Sequence, residues 1–272
     1  MITTWHSAYL AQLTCLPIEQ LDHLFALSQW PDWPNAAGLN RLTRDFLPTV
    51  QALPRFVCQS ELADDGEYYE QIIFNHGHIP TRPDNWHDLF NGLIWLQFPQ
   101  IKRLLNQLHM QDIEQFGVNP RTLRRNNLTH FDECGVILAV EEGHEYLLDA
   151  LADHQWHRVF VEHRSAWGQK IHPHVFGHAN LEMLLQPFIG LTGKWLGVSV
   201  AAGYAELPLK QQLSLLDQQV VQHIKSDDVF ARRHVLLPIP LLGIPGFCAA
   251  NQDPDFYHNS GYFRPKSAAK SR

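Results

Sequence analysis

His87, Asp88 and Asn91 interrupt a segment otherwise built of Trp86, Leu89, Phe90, Leu93, Ile94, Trp95 and Leu96. Residues three and four apart share a helix face, so the His87 imidazole and the Asn91 amide are neighbours, as are Asp88 and Asn91. Polar groups set in so apolar a helix must be bonded or liganded, because an unpaired buried one costs about 1–3 kcal/mol. His178 and Glu182 repeat the four-residue spacing on a second helix. An imidazole and a carboxylate on one face can hold a divalent metal, or act as an acid–base pair in which the carboxylate fixes the ring tautomer. Asp132 and Glu133 are adjacent carboxylates able to share an ion or divide acid and base roles. Arg121, Arg124 and Arg125 form the concentrated basic group of the chain, suited to clamping phosphate or carboxylate through paired N–H donors.

Assembled, these residues predict a hydrolytic site, either acid–base or metal-assisted. His87, Asp88, Asn91, His178 and Glu182 would carry the chemistry, and Asp132 and Glu133, with His87 and His178, would ligate a divalent metal. Arg121, Arg124 and Arg125 would orient a small anionic substrate. Each pattern also has a structural explanation. Asp88 can close a capping box with Asn85, Asp132 can open a turn through its own backbone, and the arginines can pair with surplus acids. On that alternative the chain is a noncatalytic binding protein whose aromatic and proline-rich stretches, 30–34 and 236–247, meet a partner.

Other chemistries lack their motifs. There is no GxxxxGK[ST] phosphate cradle, no GxGxxG after a strand, no GxSxG elbow and no HExxH zinc helix. The formal charge of −7 argues against a nucleic-acid partner, whose phosphates are met by Lys and Arg. Four scattered cysteines form no CxxC pair and no disulfide framework. The opening residues have neither the basic nor the apolar region of a secretory signal, and no stretch is long and apolar enough to span a bilayer. A cytoplasmic protein with no membrane contact is therefore expected.

Positioning these groups requires an α+β fold, predominantly helical with a small antiparallel sheet. With 272 residues and 45% hydrophobic content, the chain can build one globular domain over 1–265, followed by a mobile basic tail over 266–272. Helical periodicity and proline placement predict helices over 17–29, 36–46, 85–97 and 99–116, the last opened by Pro99 and closed by Gly117. A strand is expected over 55–59. Two runs around Asp132-Glu133-Cys134-Gly135 predict a hairpin over 127–140 with a positive φ at Gly135. Beyond it come a long amphipathic helix over 145–167, helices over 175–186 and 207–225, and a strand over 193–202. The prolines of 236–247 predict an irregular wrapping loop.

Several segments together resemble one family. They are Asn85-Trp86-His87-Asp88-Leu89-Phe90-Asn91 with Trp95, Phe98-Pro99, Lys102 and Asn106; Leu128-Thr129-His130-Phe131-Asp132-Glu133-Cys134-Gly135; Phe176-Gly177-His178-Ala179 with Glu182; and Gly243-Ile244-Pro245-Gly246 leading to Phe263-Arg264-Pro265. The resemblance is to the proteobacterial domain of unknown function 3025 family and runs from about residue 50 to Pro265, the His-Asp-x-x-Asn helix being its most specific part. It implies a bacterial cytosolic protein and one integral unit, and it implies no particular reaction.

Overall fold

A computed structural model describes residues 5, 10, 12–47, 53–62 and 66–266. The elements in chain order are α1 (Leu16–Phe25), α2 (Ala36–Phe46), β1 (Arg55–Cys58), α3 (Tyr69–His76), β2 (His78–Thr81), α4 (Trp86–Gln97), α5 (Pro99–Phe116), α6 (Leu123–Cys134), β3 (Gly135–Glu141), α7 (Tyr146–Ala152), β4 (Ile171–Val175), α8 (His178–Leu184), β5 (Thr192–Val200), α9 (Leu209–Asp227) and β6 (Leu237–Pro240). The fold is α+β and mostly helical. Its four-stranded sheet runs β4-β3-β5-β6, and β1 and β2 form a separate parallel pair. β3 is antiparallel to β4 but parallel to β5, and β5 is antiparallel to β6, so the sheet is mixed. One continuous core runs from Leu10 to Phe263 and includes both faces of β3, which is buried at every position. No helix among the described residues is long and apolar enough to cross a membrane, and all four cysteines are free.

Local signals explain most boundaries. Asn35 Oδ1 accepts the Gly38 N–H at 3.0 Å to open α2, and Asn85 Oδ1 accepts the Asp88 N–H at 3.0 Å to open α4. Pro99 begins α5, and Gly117, at φ 81°, ends it. The first turn of α5 is also capped from a distance. Asp217 of α9 accepts the N–H groups of Gln100 and Ile101 at 3.0 and 2.9 Å, which satisfies orphan donors that the N-cap Phe98 has no side-chain acceptor to meet.

Four expectations are corrected. The hairpin over 127–140 does not exist: 123–134 is helix α6, and only 135–141 is strand. Thr122 caps that helix by accepting the Arg125 N–H at 3.1 Å, and Arg125, Leu128 and Phe131 share its buried face, a three-residue spacing that marks helix once arginine is allowed inside. Gly135 has φ −67°; a side chain there would meet the Phe131 carbonyl oxygen at 2.3 Å, so close approach, and not a left-handed turn, demands glycine. The helix over 145–167 stops at Ala152 because His154 adopts φ 55° and short helical turns follow, with the Trp156 indole bonded to the Arg264 carbonyl at 2.7 Å. The helix over 175–186 is shortened to α8, since 171–175 is strand β4.

The stretch 236–247 is the fourth correction, because four of its residues pair with β5 as β6. The outer strands of the sheet carry prolines, Pro173 in β4 and Pro238 and Pro240 in β6. Both stretches offered as partner surfaces pack in part against the core and leave Pro31, Asp32 and Gly246 exposed. Trp33 packs on Trp86 with ring centroids 4.7 Å apart, and Leu241, Leu242, Ile244 and Phe247 are buried. Of the expected tail, 267–272 lie outside the described residues, and Lys266 is 2.8 Å from Asp153.

β4 buries two imidazoles, His172 and His174, the latter 3.0 Å from the Tyr204 hydroxyl. Burial lowers the pKa of both, that of His174 to about 3, below the ordinary 6.5. Such rings stay neutral in the folded chain yet take up protons near pH 6.5 once unfolded, so stability is lost as pH falls below 6.5. Asp217 opposes this: burial raises its carboxyl to about 6 from 3.8, which favours the folded state as pH falls through that window. His178 and His109 are lowered by burial as well, so imidazoles outnumber the raised carboxyls of Asp217 and Glu133 and net stability is lost on acidification below about pH 6.5. Urea titrations at stepped pH check this; a flat or rising profile on acidification contradicts it.

Candidate functional site

Three elements bring one side chain each to the same point. His87 sits in the first turn of α4, held there by the Asn85 cap; Glu133 is in the last turn of α6; His178 is the first residue of α8. The last two are brought together by glycine. The Phe176 and Gly177 N–H groups both donate to the Gly135 carbonyl, at 3.0 and 2.8 Å, and a side chain at 177 would lie 2.5 Å from the Glu133 carbonyl oxygen. The backbone entering α8 thus lies directly on the backbone leaving α6.

The two rings face each other with His87 Nε2 3.1 Å from His178 Nε2. Glu133 Oε2 is 3.5 Å from His178 Nε2 and 3.9 Å from His87 Nε2. Ligand atoms about 2.0–2.2 Å from a common ion are about 2.8–3.6 Å apart at octahedral or tetrahedral angles, so a small movement of Glu133 completes a three-ligand site. The far ring nitrogens support this arrangement. His87 Nδ1 is 3.3 Å from Glu182 Oε2, and the buried His178 Nδ1 has no hydrogen-bond partner among the described residues. With each Nδ1 protonated, both Nε2 atoms offer lone pairs, and with Glu133 three acceptors converge on one point. Such a cluster could hold a cation at its centre.

Burial favours the metal-ready form of His178 and disfavours that of Glu133. Burial lowers the pKa of His178 to about 3, despite the nearby Asp132, so its ring is neutral. Burial raises that of Glu133, reinforced by Asp132 and opposed by His87. His87 keeps 30% of its side chain exposed where His178 keeps 5%, so access to the centre is from the His87 side. That side opens on a cleft of about 810 Å³, lined by Tyr69, His87, Asn91, His109, Arg121 and Glu133 among others.

The remaining candidates divide. Glu182 does not orient His178, one turn away on its own helix, but crosses to His87. Asp88 lines the cleft but does not bond back to Asn85 as a capping box would; it is gripped by Arg82, whose Nε and Nη2 donate at 3.0 and 2.7 Å. Asp132 does not share an ion with Glu133. It pairs with the buried Lys102 ammonium at 2.5 Å, and this charge, aided by His178 and His109, outweighs burial and lowers its pKa. Asn91 bridges Lys102 to the Tyr69 hydroxyl, both at 2.8 Å. Of the three arginines only Arg121 lines the cleft. Arg124 is bound to Asp112, and the fully buried Arg125 donates to the Val118 carbonyl at 2.6 Å; both hold the α5–α6 corner.

Tyr69 and His109 are cleft groups that no motif pointed to, and Lys102, a residue of the family resemblance, was assigned no role. A signal existed for two of them: Lys102, Asn106 and His109 lie four and three residues apart, a polar stripe on a helix whose other face carries Ile101, Leu105 and Leu108. A helix polar on one side and apolar on the other is usually a surface helix, yet α5 buries both. Comparison with curated proteins and with solved structures finds no match. The family described as "Protein of unknown function (DUF3025)" matches residues 54–267, a span that contains every group of the centre, and the chain belongs to that family.

Proposed function

We propose that the cleft is the active site of a cytoplasmic bacterial hydrolase in which a divalent metal, held by His87 Nε2, His178 Nε2 and Glu133, activates water against an anionic substrate. The observation that carries this reading is the convergence of three acceptor atoms, all within 4.8 Å of one another, at the inner end of an open cleft. Two neutral imidazoles and one carboxylate suit zinc or a first-row transition metal better than magnesium or calcium, which prefer oxygen throughout. Three protein ligands leave a position for water, and a metal lowers the pKa of that water towards neutrality. Glu182, bonded to His87, fixes the ring and raises its basicity as a ligand.

The metal would leave a net positive centre, and Arg121 adds a second cationic group on the cleft wall. These favour a substrate with a negative group near the reacting bond, while Glu67 and Glu70, also in the lining, disfavour a second one. Free cysteines fit a reducing compartment.

Elemental analysis of the purified chain should give about one equivalent of zinc or another transition metal. His87→Ala and His178→Ala should each reduce it below about a tenth. Chelation should lower the melting temperature, because a ligand at a hundred times its Kd stabilises by about 2.7 kcal/mol. Metal below a tenth of an equivalent in the wild type, with melting unchanged by chelation, removes the metal and leaves the 3.1 Å imidazole pair sharing a proton as an acid–base site.

A further inference from the structure

Four side chains behind the centre form a chain of hydrogen bonds with one permitted direction. Lys102 Nζ, buried among Asn91, Asp132 and the Trp95 ring, donates to Asn91 Oδ1 at 2.8 Å and to Asp132 Oδ1 at 2.5 Å. An ammonium has no lone pair, so the amide atom facing it must be the oxygen, and the Asn91 orientation is settled by that contact alone. Asn91 Nδ2 is then turned to Tyr69 and donates to the phenol oxygen at 2.8 Å. With its oxygen engaged as acceptor, the phenol must send its own proton elsewhere. Among the described residues no acceptor takes that proton, and Tyr69 lines the cleft together with Asn91 and His87. Asn91 lies one helical turn after His87 on the same face of α4, and the phenol it holds shares the cleft with the His87 and His178 rings.

We propose that Tyr69 is a catalytic residue of this site, the donor that hydrogen-bonds the oxygen gaining negative charge as a metal-held substrate is attacked. This rests on the metal-hydrolase reading above. The role is that of an oxyanion donor: the O–H bond is kept, no proton is transferred, and the charge that develops on the substrate oxygen is met by a dipole already in place. Burial raises the phenol pKa well above its usual value, against the pull of the Asn91 hydrogen bond, so the proton stays on at neutral pH. Asn91 and Lys102 are positioning residues. They act by denying the phenol any other orientation.

The test uses the full chain loaded with Co²⁺ and inorganic phosphate as the oxyanion probe, followed by the visible absorption of the metal. Tyr69→Phe should keep one equivalent of metal and a melting temperature near that of the wild type, yet bind phosphate about 10- to 100-fold more weakly, as expected for losing one hydrogen bond to a charged oxygen. Asn91→Asp keeps the contact with Lys102 but offers the phenol an acceptor, which turns its proton away from the cleft. It should weaken phosphate in the wild-type background and add little to Tyr69→Phe, whereas a merely electrostatic effect would add in full. Equal phosphate affinity in wild type and Tyr69→Phe, including no binding by either, overturns the donor role while leaving the metal in place. A wild type that takes up no metal overturns the metal reading and the donor role with it.

Discussion

Alanine at position 177 is expected to abolish metal uptake and to destabilise the chain by about 3 kcal/mol, the upper end of what overpacking costs. The added methyl would lie 2.5 Å from the Glu133 carbonyl oxygen and the Gly135 nitrogen and 2.6 Å from the Cys134 carbonyl carbon, all backbone atoms that no side-chain rotation can move aside. Relief requires parting the start of α8 from the end of α6, the same junction that holds His178 beside Glu133. A shift of even ~1 Å takes the ligand atoms out of range of a common ion. Denaturant unfolding and metal analysis of Gly177→Ala check the two effects separately. Normal metal content with normal stability would show that the glycine contact does not set the geometry of the centre.

The second large effect is expected at Lys102. Lys102→Met keeps most of the side-chain volume and its contact with the Trp95 ring but removes the charge, leaving Asp132 and Asn91 Oδ1 without their donor. Breaking one half of a buried pair costs about 3–5 kcal/mol, and the partial exposure of Asp132 puts the expectation at the lower end. Adding Asp132→Leu should recover part of the loss, because two apolar side chains replace a pair whose burial was itself unfavourable. Urea unfolding of the single and double variants measures both. A single variant within about 1 kcal/mol of wild type would mean that the ammonium is not buried as described.

How far the sequence could be read depended on what each residue reports. Helices α4 and α5 were legible because Asn85, Pro99 and Gly117 mark their ends by local chemistry, independent of the rest of the fold. Helix α6 was misread because Arg125 was counted as a surface charge, and without it the buried face shows only Leu128 and Phe131. Strand β4 was left unassigned because His172, Pro173 and His174 do not look like strand residues, and what makes them one is the pairing with β3, a contact distant in sequence.

The site divides along the same line. His87 and His178 stand out as polar groups on apolar helices, and they meet. Which carboxylate joins them was not legible. Asp132 and Glu133 are chemically alike and adjacent, and one is taken by Lys102 while the other is left for the histidines, only because of how α5 packs on α6. Tyr69 carried no signal at all, since its role comes from the Asn91 amide and not from its own neighbours in the chain.

Proline in β4 and β6 has a last consequence. A proline cannot donate to a sheet ladder, so Pro173, Pro238 and Pro240 must face outward from their pairings, towards the two flanks of the sheet. Pro238 and Pro240 leave β6 without outward N–H donors and Pro173 removes the central one of β4, so lateral addition of a strand from another molecule is disfavoured at both borders of this sheet.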